Sequence, residues 1–230
     1  MNGLPGMNDK TEGLFAWDII YKSDSTDNQN ERRRNDEINN AFIVSFSDED
    51  SCDDLTLWRL YGDDAKGVWC EYEIIEEKLR DRFYLGKVNY IDKKSNNDTI
   101  SDPLLKQFKE IVDNSDLPYI DFSPIIFFYK NKAFEVENEV RLLVDNKNDK
   151  NYNNPQYDRN WVLTNSNNIP NPYIDIPLNE IPLKLVKIFL GPNINDADTI
   201  SSQLETMLEQ IGINAEVQLS NIETYRNPSK

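Results

Sequence analysis

The sequence predicts an α+β fold: one domain, residues 1–230, of mostly antiparallel strands with a few short helices. Three observations predict it. Apolar residues alternate over short runs, as strands with two unlike faces require. Two segments carry complete helix signals, a capping Asp followed by an apolar stripe at helical spacing. The end of the chain reads strand, helix, strand.

The elements follow in order. After "GLFAWDIIY" (13–21), the polar run over 22–40 reads as a mobile loop or a partly exposed helix. "AFIVSFS" is a strand in which Phe42, Val44 and Phe46 share one face, while Ser45 and Ser47 lie on the other. In "DDLTLWRLYG", Asp53 or Asp54 caps a helix that Gly62 ends. "GVWCEYEI" is a strand. In "DPLLKQFKEIVDN", Asp102 is a cap, Pro103 takes the first helical position, and Leu104, Leu105, Phe108, Ile111 and Val112 form the stripe. "SPIIFFYKNKAFEVENEVRLLV" reads as a hairpin of two strands around a polar turn. The Asn-rich segment 145–160 reads as a second mobile loop. "LKLVKIFLG", a helix through Ile200, Leu204, Leu208 and Ile211 stopped by Gly212, and "AEVQLS" complete the chain.

Composition narrows the chemistry. A net charge of −16 argues against an extended grip on nucleic acid, which needs a surplus of Lys and Arg. The one basic cluster, Arg32-Arg33-Arg34, lies in a polar run and reads as surface. The chain has no histidine, so it supplies neither a Ser-His-Asp triad nor a histidine zinc site by itself. Cys52 and Cys70, with no apolar leader before them, read as reduced thiols of a cytoplasmic protein. No apolar run reaches the length of a membrane span.

The strongest candidate for a site is "FEVENEVRLLV" (134–144). Read as one strand, it places Glu135, Glu137, Glu139 and Arg141 on one face, about 6.6 Å apart. Like charges at that spacing repel unless water or cations are near. The face is therefore either a solvated ladder screened by Arg141 or the floor of a site, and both readings stand at this point. Ser45 and Ser47, and the pair Trp58 and Tyr61, have the same two readings: local hydrogen bonding or core on one side, a binding surface on the other. Asp48, Glu49, Asp50, Asp53 and Asp54 could gather Mg²⁺ but are more simply explained as helix-start acids.

Taken in order, "MNDKTEG" (7–13), "FIVSFS", "LTLWRLYGDDAKGVWCEYE", "FEVENEVRLL", "IFLGP" and "SNIETYR" resemble a bacterial family catalogued as a domain of unknown function. That family shows Met-Asn-Asp-Pro-x-Glu, Cys-Phe-Ser, Leu-Trp-x-His-Tyr-x-x-x-His-x-Gly, Glu-x-Glu-x-Arg, Leu-Gly-Pro and Ser-x-x-x-Tyr-Arg. Its two histidines fall at Leu60 and Ala65 here, and its proline at Lys10. Its opening Tyr-rich strand has no counterpart. That implies a start upstream of Met1, or a protein partner or homo-oligomer that completes a sheet edge.

The resemblance implies a setting in mobile, phage-defence or toxin-like loci. By pattern the chain is also similar to ADP-ribosyltransferase-like folds, in which a hydroxyl-bearing strand faces a Glu-x-Glu strand across bound NAD. On that likeness Glu139 holds the nicotinamide ribose and stabilises the oxocarbenium-like transition state, and Glu137 orients or deprotonates the acceptor. Ser47 positions Glu139, and Trp58 or Tyr61 stacks on nicotinamide. Asn8, Asp9, Ser45 and Arg141 complete the substrate contacts. The implied cofactor is NAD, used as substrate, with no metal. Two alternatives accompany it: a non-catalytic binding or regulatory module, and a metal-dependent nuclease built on Asp9, Glu12 and the glutamate strand.

Overall fold

Seven residues of "AFIVSFS" pair antiparallel with "EVRLLVD", and this pair is the spine of the fold. In the computed structural model, strand β2 (Ala41–Ser47) lies against β7 (Glu139–Asp145) with Ser45 opposite Arg141 and Ser47 opposite Glu139. The structure describes residues 1–3, 15–21, 28–79, 82–92, 102–115, 120–147, 156–163 and 170–222.

Within the span read as one domain, the chain packs as two compact units. The first is Met1–Asp48 with Leu79–Glu180, and the second Glu49–Lys78 with Ile181–Lys230. Both mix helices and strands, and pairing is largely antiparallel, as the sequence predicts. No described helix is long and apolar enough to cross a membrane.

The first unit is built on a six-stranded antiparallel sheet. Besides β2 and β7 it contains β1 (Asn2–Gly3), β4 (Phe83–Lys87), β8 (Arg159–Leu163) and β9 (Pro170–Ile174), in the order β4-β7-β2-β1-β9-β8. Strand β7 is internal, second from the β4 edge, and buried on both faces, because Arg141 and Leu143 on one side and Leu142 and Val144 on the other are all enclosed. One face packs Ile43 and Leu143 with Ile126, Phe127, Tyr129, Trp17 and Ile20. Those residues come from helices α1 (Phe15–Ile20) and α5 (Ser123–Ile126) and from a small parallel pair, β5 (Asn89–Ile91) with β6 (Tyr129–Asn131). The other face packs Phe42 and Val144 against Ile174. Helix α4 (Pro103–Asp113) has the predicted start: the Asp102 carboxylate accepts the Leu105 N–H at 2.8 Å, Pro103 follows it, and Leu105 is fully buried.

The second unit is a three-stranded sheet, β3 (Val68–Ile74), β10 (Leu183–Leu190) and β11 (Glu216–Leu219), with β10 in the middle. Strands β10 and β11 are parallel and joined through α6 (Ala197–Gln210), so the predicted strand-helix-strand unit is present. Gly212 follows α6 in the left-handed region at φ 73°. Helix α3 (Leu55–Tyr61) is capped by Asp54, whose carboxylate accepts the N–H groups of Thr56 and Leu57.

One predicted element is corrected. The hairpin over 123–144 does not form, because β6 and β7 belong to different sheets and Lys132–Glu137 between them is a 3-10 helix. Two asparagines bound that helix. The Asn131 side chain accepts the Ala133 N–H at 2.9 Å, and Asn138 stands in the left-handed region at φ 42°, which Asn tolerates better than most residues. Of the two readings of 22–40, mobile loop or partly exposed helix, the helix holds from Asn28 to Asn40 as α2. It docks through buried Glu37, which pairs with Lys147, and through one apolar residue, Ile38, packed on the first core, so an apolar-periodicity reading finds no stripe there. Of the loop expected over 145–160, residues 148–155 lie outside the described residues, while Asp145 closes β7 and Arg159 opens β8.

Candidate functional site: a closed ion cluster on a buried strand

The face of β7 that carries Glu139 and Arg141 looks into the first core. The expected row of four charges is therefore broken. Glu135 and Glu137 sit on the 3-10 helix, and only Glu139 and Arg141 share the strand face. That face is neither a wet ladder nor an open floor: Glu139 is 4 % exposed and Arg141 0 %.

A buried carboxylate needs partners for both oxygens. Oε1 of Glu139 accepts from Nε of Arg141 at 2.6 Å and from the Ser45 hydroxyl. Oε2 accepts from Nη2 of Arg141 at 3.0 Å and from Nζ of Lys130 at 3.3 Å. Four donors fill the lone-pair positions of an ionised carboxylate. The two-pronged contact with Arg141 matches the planar fork of the guanidinium. The third arm of Arg141, Nη1, donates to the Phe127 carbonyl at 2.7 Å, just past α5. Lys130 on β6 also donates to Glu137 at 2.6 Å and lies 4.8 Å above the Phe134 ring. The backbone N–H of Glu139 donates to the Tyr90 hydroxyl at 2.9 Å, which ties β5 to the start of β7.

Burial by itself pushes the Glu139 carboxyl upward. The hydrogen bond and charge of Arg141, with Ser45 and Lys130, outweigh it and hold the group below its ordinary value. A lowered folded value stabilises the fold above the ordinary carboxylate range, and that contribution is lost as pH falls through the folded value. Removing the titrating group should remove that part of the acid limb. Native protein is therefore expected to lose stability below about pH 4.5 more steeply than Glu139→Gln, as read by urea unfolding at a series of pH values. Parallel slopes would mean that Glu139 titrates normally.

Sequence-predicted residues divide by location. Glu137, Glu139, Ser45 and Arg141 do come together. Ser47 stands opposite Glu139 in register, but it is Ser45 rather than Ser47 whose hydroxyl reaches the carboxylate. Trp58 and Tyr61 belong to the second unit. Trp58, expected as a stacking platform, is 1 % exposed and packs with Ala65, Phe189 and Trp69 in a core. Its indole N–H donates to Asp53 at 2.8 Å. Tyr61 is exposed at the end of α3. Asn8 and Asp9, like Glu12, lie outside the described residues. Among the described residues no three acids or cysteines gather as a metal site.

Two partners were not legible in the sequence. Lys130 stands in "YKNK", where nothing separates a buried lysine from a surface one, and Tyr90 is an isolated tyrosine on a three-residue strand. A comparable hub in the second unit is Asp53, itself at φ 60°. Its carboxylate accepts from Trp58, from the Ser220 hydroxyl at 2.6 Å and from the Asn221 N–H at 2.6 Å. It ties the start of α3 to the segment after β11.

With this geometry in hand, comparison with known proteins adds no assignment. No family model, curated protein or solved structure matches the chain.

Proposed function

We propose that this protein works by binding and not by turning over NAD, with the Glu139 cluster as the internal frame of its larger sheet. The observation that carries the reading is the saturation of Glu139: two cations and a hydroxyl occupy both oxygens of a carboxylate that is 96 % enclosed. A group that stabilises an oxocarbenium ion must reach the sugar and keep an oxygen available to it. Glu137, the second carboxylate, is engaged by Lys130. A binding role suits the charge. The second unit alone carries sixteen acidic against seven basic side chains, which favours a basic protein partner held more weakly as salt rises.

One observation favours the NAD-using transferase or glycohydrolase as a second reading. The serine strand and the glutamate strand are neighbours, and a serine hydroxyl does donate to the second glutamate of Glu137-Asn138-Glu139. The likeness to ADP-ribosyltransferase-like folds, and a defence or toxin-like setting, belong to that reading.

One experiment separates the two. Purified protein is incubated with NAD⁺ and released nicotinamide is read by chromatography, beside Glu139→Gln. The binding reading expects no release from either protein above the rate without protein. Release by native protein that disappears in Glu139→Gln, with the variant still folded by circular dichroism, overturns it and establishes the NAD reading.

A further inference from the structure

Strand β8 ends the six-stranded sheet, and among the described residues no strand pairs with its outer edge. Natural edge strands are usually short, charged, proline-bearing or covered. This one reads Arg-Asn-Trp-Val-Leu, and Trp161, Val162 and Leu163 are 60 %, 47 % and 64 % exposed. The direction of its backbone groups follows from the pairing. Met1 and Ile174 exchange both backbone hydrogen bonds, at 2.8 and 3.0 Å, so Ile174 points its polar groups toward β1. Alternation then points Tyr173 and Asn171 toward β8, where Asn160 and Val162 answer them. Pro172 and Pro170 fall at positions whose missing N–H faces away from β8, where its loss leaves this pairing intact. Arg159, Trp161 and Leu163 are thus left with N–H and C=O directed outward.

Charge selects the occupant. In a chain of net charge −16, the five residues of β8 hold one charge, Arg159, whose guanidinium donates to the Asn39 carbonyl at 2.6 Å and lies over the Phe42 ring. A strongly charged strand finds no counter-charge here, whereas a neutral apolar extended strand fits. The chain itself carries such a strand. We propose that β8 pairs antiparallel with β8 of a second copy, with Trp161 on the two-fold axis. In that register Trp161 faces Trp161 and Arg159 faces Leu163, so all three outward residues form hydrogen-bonded pairs with two bonds each. The acid next to the strand in sequence, Asp158, then lies about 20 Å along the strand from its symmetry mate, beyond a Debye length at physiological salt, and the Asp175 carboxylate on the β9 side accepts from Asn160 at 3.2 Å. The interface is small beside the roughly 800 Å² per partner of a stable complex, so the dimer is weak. It tightens with added salt, which screens the repulsion of two acidic chains. This contact is independent of the chemistry at Glu139.

Sedimentation equilibrium of the full chain over about 1 to 500 µM tests it. A monomer-dimer equilibrium is expected, with the dissociation constant raised about tenfold or more by Trp161→Lys and left unchanged by Leu178→Lys. Leu178 is the control because it is more exposed still, at 79 %, and lies outside the strand. A monomer at every concentration and salt overturns the proposal. So does a dimer that Trp161→Lys leaves intact, or one that both variants weaken alike. Circular dichroism of each variant confirms that the fold survives.

Discussion

Replacing Arg141 by methionine is expected to lower the stability of the first unit by about 3–5 kcal/mol, read as a fall in the urea midpoint. Methionine roughly fills the space of the arginine stem but supplies none of its donors. Glu139 would keep only Ser45 and Lys130 around a buried negative charge, and the Phe127 carbonyl would lose its 2.7 Å donor. Breaking one side of a buried pair costs far more than replacing both sides, because the remaining ion is left uncompensated. Adding Glu139→Gln to Arg141→Met should therefore cost less than the two single losses together, and a double-mutant cycle reads the difference. A loss below about 1 kcal/mol for Arg141→Met would mean that water reaches the cluster, the behaviour of a surface ion pair. That outcome would also reopen Glu139 as a reactive group.

Gly191→Ala should be the most damaging small substitution in the second unit. A Cβ at Gly191 would stand 2.3 Å from the Ala65 carbonyl oxygen and 3.0 Å from that of Gly67. Neither obstacle is a side chain that can swing away. Both carbonyls are in use, that of Gly67 accepting the Gly191 N–H at 3.0 Å and that of Ala65 accepting the Asn193 N–H at 2.9 Å. Relief of the clash has to move backbone and break those bonds, so a loss of about 3 kcal/mol or more is expected in thermal or urea unfolding. Gly212→Ala is the comparison. It has no neighbour within 4 Å but a φ of 73°, so it should lose only the conformational preference, about 1 kcal/mol. Equal losses at the two positions would show that crowding at Gly191 is not what matters.

How far the sequence carried the reading depends on where each signal resides. Helices α3 and α4 were legible because their starts are local: Asp54 and Asp102 cap N–H groups two or three residues away. The strand-helix-strand close was legible because Leu204 and Leu208 repeat at helical spacing and Gly212 stops the helix. Helix α2 was legible only as one of two readings, because Glu37 docks it through Lys147, more than a hundred residues away, and no local pattern announces a buried ion pair. The hairpin misreading has a similar origin. Alternation from Phe134 to Val144 suggests one strand, yet the Asn138 backbone turns left-handed in its middle and sends the two halves to different elements.

By itself the sequence determined the mixed fold, strands β2, β3, β7, β10 and β11, the capped helices α3 and α4, and the presence of Ser45, Glu137, Glu139 and Arg141 as a polar constellation, while β1, β4, β5, β8 and β9 went unread. Period-two alternation says which residues share a face, and that much was read correctly for Glu139 and Arg141. It does not say what covers the face. Only the tertiary structure decided that, by bringing Phe127 just past α5, Lys130 of β6 and Tyr90 of β5 over the strand so that the charges close on one another. The cost of an uncompensated buried charge makes the decision sharp: once that face is covered, every donor must be satisfied from within, and carboxylates that look reactive in the sequence become the frame of the fold.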